Sequence, residues 1–482
     1  NPGTGADVAT WTFSGLTPGR YRVSATWTPY TNRATDTPFT VLDGGTPLGT
    51  VRVNQKLTPD DFSDQGLGWE DLGGPYSTSG TTLVVRLTDA ANAQVIADAV
   101  RIERIGDLTS TGPTSTYYVS NNQEINQALP LAKPGTRILL RPGIYSGDIY
   151  LVNMVGAPGS PILFGAADPT QRPVIRGGLD GIHLVDPQYV EISDLILDGA
   201  YYNGVNVDDG GTYDTPAHHV TLRNLDVRNV VGTANSNGLK LSGVDQFSVV
   251  ASVIDGWGSW GSGIDLVGSH DGAIATSTFR NAGRGGANGF MAKGGSARIV
   301  LRDSRFEQAG YRAVQIGGST YLPYFRPAAP VPYEAKDITV EGNVIIGSEA
   351  AVAFVNVDGA TVRYNTIYRP TTWAFRILQE VNDPWFVPCR NGVITDNIIA
   401  YRSTDMYSAV NIGGNTAPET FLFARNDWCC LDAPSRSRPS LPTAEINGVY
   451  GVDPLFVAAE AGDLHLLAAS TVRNQGAYAP RA

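Results

Sequence analysis

The sequence predicts an all-β chain, with a small N-terminal β-sandwich followed by a right-handed parallel β-helix. Three observations predict it. From residue 190 onward apolar positions recur in register at long, variable spacing, the signature of a solenoid in which each repeat stacks on the last. Glycine is abundant, at 55 of 482 residues, while only 17% of residues are charged. Short apolar runs broken by Gly, Asn, Asp and Thr favour strands and turns over helices. Residues 1–107 carry period-two runs of their own, without the later repeat.

At 482 residues the chain exceeds one ordinary core, so at least two domains are expected. In the first, residues 1–107, strand-like alternation runs over residues 8–13, 21–27, 83–87 and 99–102. Turn signals such as Pro18-Gly19 and Asp43-Gly44-Gly45 separate such runs. Residues 108–115 are polar with Gly and Pro, as a linker should be. The second domain is expected over 116–482. It opens on an amphipathic stretch from Asn121 to Ala132, with Ile125, Leu129 and Leu131 apolar, which Pro134-Gly135 stops. A short helix there would cover the open end of the first coil.

The repeat itself is legible as columns. One reads Ile192, Leu222, Val249, Ile274, Leu301, Val340, Val362, Ile394, and five residues later another reads Leu197, Val227, Ile254, Phe279, Phe306, Ile345, Ile367, Ile399. Two residues before the second column lies a polar ladder of Ser252, Ser277, Ser304, Asn343, Asn365 and Asn397. A further inward column reads Val205, Leu239, Ile264, Phe290, Val314, Val352, Phe375, Val410. Variable spacing with a constant strand pattern points to coils whose turns carry different loops. A leucine-rich framework is absent, and the units are too short for propeller blades.

Charge and cysteine content narrow the function. The net charge of −11 disfavours nucleic acid, whose phosphates need concentrated Lys and Arg. It leaves room for an anionic polysaccharide held in a local basic groove. No apolar run is long enough to cross a bilayer, so no membrane insertion is expected. The chain begins at Asn1, read as a processed or trimmed start, and a secreted or cell-surface location and a monomeric state are expected. Three cysteines make no disulfide scaffold and no zinc spacing. They allow one bridge, from Cys389 to Cys429 or Cys430, or three buried thiols.

The candidate site follows from the columns. Parallel stacking aligns outward positions as well as inward ones. The residue after the last inward column reads Asn206, Lys240, Asp265, Met291, Gln315, Ala353, Arg376, Asn411. Two further on lie Asp208, Ser242, Val267 and Lys293. Only five lysines occur in the chain, and two of them meet on this face with Asp265 between. Near it a long insertion carries Tyr321, Tyr324, Arg326, Tyr333 and Glu334, and Trp257 and Trp260 precede the strand bearing Asp265. Aromatic loops beside a charged groove suit sugars, whose C–H faces stack on rings while polar groups orient hydroxyls. His270 and the pair His218-His219 lie at turns of neighbouring coils, where a histidine serves as acid, base or surface hydrogen-bonding group.

Two resemblances add to this reading. Trp11-Thr12-Phe13, Leu16-Thr17-Pro18-Gly19, Asn32-Arg33-Ala34, Trp69 to Gly73 and Ile96 to Ile102 resemble the golvesin-type β-sandwich, which implies an accessory module. The short helix, Pro134-Gly135 and Pro142-Gly143-Ile144-Tyr145 resemble the N-terminal cap of pectate-lyase-like β-helices. The tail 452–456 and 463–466 resembles their usual end. Met291-Ala292-Lys293-Gly294-Gly295-Ser296, followed by Ile299 to Phe306, is similar to the chondroitinase B and alginate lyase type. That likeness implies polysaccharide cleavage by β-elimination with Lys293 as base, and allows a calcium ion. No other cofactor is expected and the metal ligands are unassigned. The acidic residue that helps hold that calcium has no match, since Phe290 and Met291 fill the stretch, and the family's arginine falls near Ile316-Gly317.

The expected catalytic set is therefore Lys293, Lys240, Asp265, Arg312 and Gln315. The expected sugar-binding set is Trp257, Trp260, His270, Tyr311, Tyr321, Tyr324, Arg326 and Arg376. Lys240, Arg312 and Gln315 would bind the uronate carboxylate, and Tyr311, Tyr321 or His270 would protonate the leaving oxygen. Two alternatives stay open. One is a glycoside hydrolase using Asp265 with Asp208 or Glu334. The other is a non-catalytic glycan-binding or adhesin-like protein.

Overall fold

The structure is a computed structural model that describes residues 3–64, 66–78, 80–106, 115–212, 215–283, 285–326 and 331–473. The expected linker, apart from Ser115, lies outside the described residues. The chain divides into two compact units: Asn1–Pro113 with Ala157–Pro161, and Thr114–Gly156 with Ile162–Ala482.

The first unit is a β-sandwich. One sheet orders Val8–Ser14, Thr82–Thr88, Thr37–Asp43 and Thr46–Val53, all antiparallel. The other is built around Gly19–Thr26, paired with Ala99–Gly106, Leu67–Asp71 and Tyr76–Thr78. Alternate residues of these strands meet between the sheets, where Val23, Trp27, Phe39, Val41, Leu72 and Val85 form a core of their own.

The second unit is a right-handed parallel β-helix. Three sheets of 13, 12 and 10 strands run its length, and the pairings that build them are parallel. Each coil contributes one strand to each sheet in turn. The cap is a helix, Asn122–Ala128, started by Asn121, whose Oδ1 accepts from the Glu124 amide at 2.9 Å. Glu124 reciprocates by accepting from the Ser120 amide, so orphan N–H groups at the helix start are satisfied. Ile125 and Ala128 plug the core. Leu131 does not; it is exposed, because the chain leaves the helix through a 3-10 turn at Leu129–Leu131.

The columns stack in the expected register. Ile192 pairs with Leu222, Leu222 with Val249, Val249 with Ile274, and so on to Val362 with Ile394. Leu197 to Ile399 and Val205 to Val410 pair in the same unbroken way. All three columns point into one continuous core. Within it Phe279 and Phe306 stack with ring centres 4.7 Å apart, one coil above the other.

Two devices turn the corners. Between the first and second sheets the polar ladder runs amide to side chain. Ser252 donates to Ser277, Ser277 to Ser304, Ser304 to Asn343, and Asn343 to Asn365 to Asn397. It continues to Asn426 and ends on Glu445. Each ladder residue follows one in the left-handed region, from Ala251 at +52° to Arg425 at +53°. That conformation costs a non-glycine residue about 1–2 kcal/mol, and the buried ladder bonds hold it in place. Between the second and third sheets the corner needs small residues. A Cβ on Gly289 would lie 2.4 Å from the Ala313 carbonyl oxygen and 2.8 Å from the Phe306 ring.

No disulfide forms. Cys389, Cys429 and Cys430 are free, buried thiols, which corrects the option of a bridge. Each sits in packed core or sheet, where burial pushes the thiols of Cys389 and Cys429 up to about 12.

Candidate functional site

The third sheet carries the site. Its outward column reads Tyr150, His183, Asn206, Lys240, Asp265, Met291, Gln315, Ala353, Arg376 and Asn411, each residue paired with the next. Lys240 and Lys293 converge on Asp265. The Lys293 ammonium lies 3.3 Å from Oδ1 and that of Lys240 lies 3.6 Å from Oδ2. Asp265 is fully buried, and neither of its oxygens accepts a hydrogen bond from the described residues. These distances exceed those of a charge-assisted hydrogen bond, so the carboxylate is balanced by charge and left with free lone pairs. Two ammonium groups about one carboxylate leave a net positive charge.

That charge faces a cleft of about 770 Å³. Its floor and sides include Asn206, Asp208, Lys240, Ser242, Val267 and Lys293, and its far wall is the loop from Ser319 to Arg326. Tyr321 and Tyr324 stand on that wall, 73% and 66% exposed, with ring centres 6.1 Å apart. The loop is pinned by its apolar and ionic roots. Phe325 is buried against Phe386. Arg326 donates to Asp245 at 2.6 Å and to the Gly268 carbonyl at 3.1 Å. Arg326 thus lines the cleft while its guanidinium is committed to the scaffold. Burial raises the Asp245 carboxyl, but bonds from His270 and Arg326 outweigh it and hold the group low.

Glu334 braces the site. It is fully buried and accepts from the Gly294 amide at 2.7 Å, the Thr320 amide at 2.5 Å and the Thr320 hydroxyl at 2.8 Å. It ties the turn after Lys293 to the aromatic loop. The expectation of Glu334 as a hydrolase carboxyl is corrected: its oxygens are consumed by these donors, and it does not line the cleft.

The other expected residues separate into three groups. Arg312 and Gln315 form a buried network: Arg312 donates to Gln315 at 2.7 Å and to Glu380 at 2.5 Å, and Gln315 donates to the Gly317 carbonyl. Neither lines the cleft. Tyr311 accepts from Arg376 at 2.9 Å and packs under the guanidinium groups of Arg312 and Arg376, again outside the cleft. Trp257 is 2% exposed and part of the helix core, so its expected sugar contact is corrected: no ring face is left for a ligand. Trp260 is 68% exposed. His270 opens a strand of the first sheet, with Nδ1 3.0 Å from Asp245 and Nε2 3.1 Å from the Gly295 carbonyl, so it braces a turn away from the cleft. His218 and His219 lie on the first sheet too, Nδ1 to Nδ1 at 2.9 Å beside Tyr189.

The aligned columns do not include His183 or Asp209, both of which stand beside Asp208. Asp208 accepts from His183 Nε2 at 2.6 Å and from the Gly210 amide. That bond to Asp208 raises the His183 pKa against the opposing effect of burial. Asp209 lines the cleft as well, its pKa raised first by burial and further by Asp208. His183 sits one coil before the column as aligned, so extending the register back by one strand finds it. Asp209 lies in a turn, where no register applies.

Among the described residues, the stretch before Lys293 supplies no carboxylate of the kind that the resemblance implies for calcium. Phe290 is buried in the core and Met291 offers no carboxylate. Among the described residues the one group of three mutually close acids is Asp60, Asp61 and Glu70, in the first unit.

Fold and site together define a parallel β-helix with a cleft lined by lysines, aspartates and tyrosines on one sheet, joined to a β-sandwich. Residues 1–104 match the Golvesin C-terminal domain family. Among solved structures, the chain is similar to an alginate lyase from a Paenibacillus species. The identity is 18%, covering 63% of this chain and 99% of that one, with a TM-score of 0.45. It is also similar to a lacto-N-biosidase from Eubacterium ramulus, at 14% identity over 65% and 67% of the two chains, TM-score 0.47. A pectate lyase aligns at 15% identity over 78% and 95%, TM-score 0.42. No curated protein matches the sequence.

Proposed function

We propose that the β-helix unit is an extracellular enzyme that cleaves a uronate-containing polysaccharide by β-elimination, with the sandwich as an accessory module. The observation that carries this reading is the pair of lysines about Asp265, open to a cleft walled by Tyr321 and Tyr324. β-Elimination needs a cation for the substrate carboxylate, a base for the α proton and an acid for the leaving oxygen. In this scheme Lys240 keeps the ion pair and meets the uronate carboxylate. The Lys293 amine takes the proton α to it. The C–H electron pair becomes the ring double bond, the bond to the 4-linked oxygen breaks, and that oxygen takes a proton from Tyr321.

Incubation with alginate, polygalacturonate and chondroitin tests the reading. Unsaturated ends absorbing in the ultraviolet are expected with at least one, and Lys293→Ala should abolish them. Activity that survives Lys293→Ala removes Lys293 as the base.

One observation favours a second reading, a glycoside hydrolase. Asp208 and Asp209 share the cleft, and burial raises the Asp209 carboxyl as a general acid requires. New reducing ends without ultraviolet absorbance would select it.

A further inference from the structure

The cleft lies beside a rim formed by the residues just before each third-sheet strand. Eight successive strands define this rim, from Asn203–Asp208 to Ser408–Ile412. Aromatic residues occupy it on five of these eight coils. Tyr201 and Tyr202 precede the first of these strands, Trp260 the third and Tyr311 the fifth. Trp373 opens the seventh, and Tyr407 precedes the eighth. The coils between carry Asn235-Ser236, Gly286-Ala287 and Ser348-Glu349 there. Adjacent strands lie about 4.8 Å apart, so the rim spans roughly 34 Å, with Trp260 about 10 Å along the axis from Tyr201 and Tyr202, and Tyr407 roughly 24 Å beyond Trp260.

Four of these rings are open. Tyr201, Tyr202, Trp260 and Tyr407 are 46%, 44%, 68% and 90% exposed. Trp260 has a seat: a Cβ on Gly286, in the next coil, would lie 2.6 Å from its six-membered ring. The glycine lets the indole lie flat on the rim with its other face to solvent. At the far end the rim gains a cation. The Arg376 guanidinium stacks 4.2 Å from the Trp373 ring, bonded through Nη1 to Tyr311 and through Nε to Asn411. Its remaining N–H groups have no hydrogen-bond partner among the described residues, as a carboxylate-binding fork requires. The rim joins the cleft directly, since Asn235, between Tyr202 and Trp260 in coil order, lines both.

We propose that this rim is a binding rail for an extended uronate glycan lying parallel to the helix axis. The open rings of Tyr201, Tyr202, Trp260 and Tyr407 stack on sugars along the chain, and Arg376 pairs with a carboxylate beyond the cleft. Ring faces stack on sugar C–H surfaces while a cation fixes a carboxylate, a combination that suits a uronate chain. The rail rests on the proposed uronate reading of the cleft and adds direction and length to it. A chain that runs past the cleft on such a rail is cut internally.

The test measures binding and turnover of alginate and polygalacturonate, each as polymer and as trimer, by the full chain. Trp260→Ala and Tyr407→Ala should weaken polymer binding several-fold, and Tyr407→Ala should weaken the trimer far less. Tyr407→Phe should restore polymer binding, because the ring is what acts. Early products should be of mixed length. Equal polymer affinity in Tyr407→Ala and the parent, or release of one short product only, overturns the rail while leaving the cleft reading intact. A parent that neither binds nor cleaves either polymer overturns both.

Discussion

Asp427 carries a buried carboxyl in the second sheet, 4% exposed, with neither oxygen hydrogen-bonded. Burial, and then the neighbouring Asp453, push its pKa up to about 7. The folded value is above the unfolded one, near ~3.9. Its contribution to stability is therefore fully present below about pH 4 and lost as the pH rises through 7. Asp427→Asn should remove that loss. Melting followed from pH 4 to 8 should show the parent falling more steeply than the variant across this window. Parallel curves would mean that the carboxyl finds a partner. Asp265 poses the same burial problem and solves it differently, because two ammonium groups lie within 3.6 Å. The contrast separates a buried carboxyl with two ammonium groups beside it from one with none.

At the scale of the element, the corner ladder decides whether a coil closes. Asn365 accepts from both the amide and side chain of Asn343, and donates to Asn397 and to the carbonyls of Val340 and Arg363. All of this is buried. Asn365→Ala strands the Asn343 backbone N–H without an acceptor, while the Asn343 side chain keeps the Leu301 carbonyl; an unsatisfied buried group costs about 1–3 kcal/mol. Urea denaturation should show a loss of that size. An unchanged midpoint would make the ladder ornamental. Leucine at this position would be worse, since the ladder turn also follows the left-handed Tyr364 at +57° and leaves little room for adjustment.

The whole molecule depends on stacking rather than cross-linking. Each coil touches the next, and one core runs from Val119 to Cys430. The three cysteines sit inside that fabric, at 0–1% exposure. Melting should therefore be indifferent to reductant. A maleimide should label none of the thiols in the native protein and three after unfolding. A reductant-sensitive midpoint would require a bridge that the fold does not form.

Much of this was legible in the residues. The inward columns, the ladder from Ser252 to Asn397 and the meeting of Lys240, Asp265 and Lys293 follow from one fact. In parallel stacking, strand register maps sequence position directly onto spatial neighbours. Local repetition is enough to determine which residues share a face. What only the tertiary structure decided lies in the loops and turns, where no register operates. Trp257 and Trp260 are three residues apart, yet one is core and the other is exposed on the rim. Glu334 looked like a free acid and is a brace, because the loop 319–326 folds back over the turn at Gly294. Gln315 stands in the outward column, but it and Arg312 turn toward each other, and Arg312 toward Glu380, satisfying buried charge within the protein. The sequence by itself determined the helix and its charged face. Long-range contacts through irregular backbone decided which of those side chains a ligand can reach.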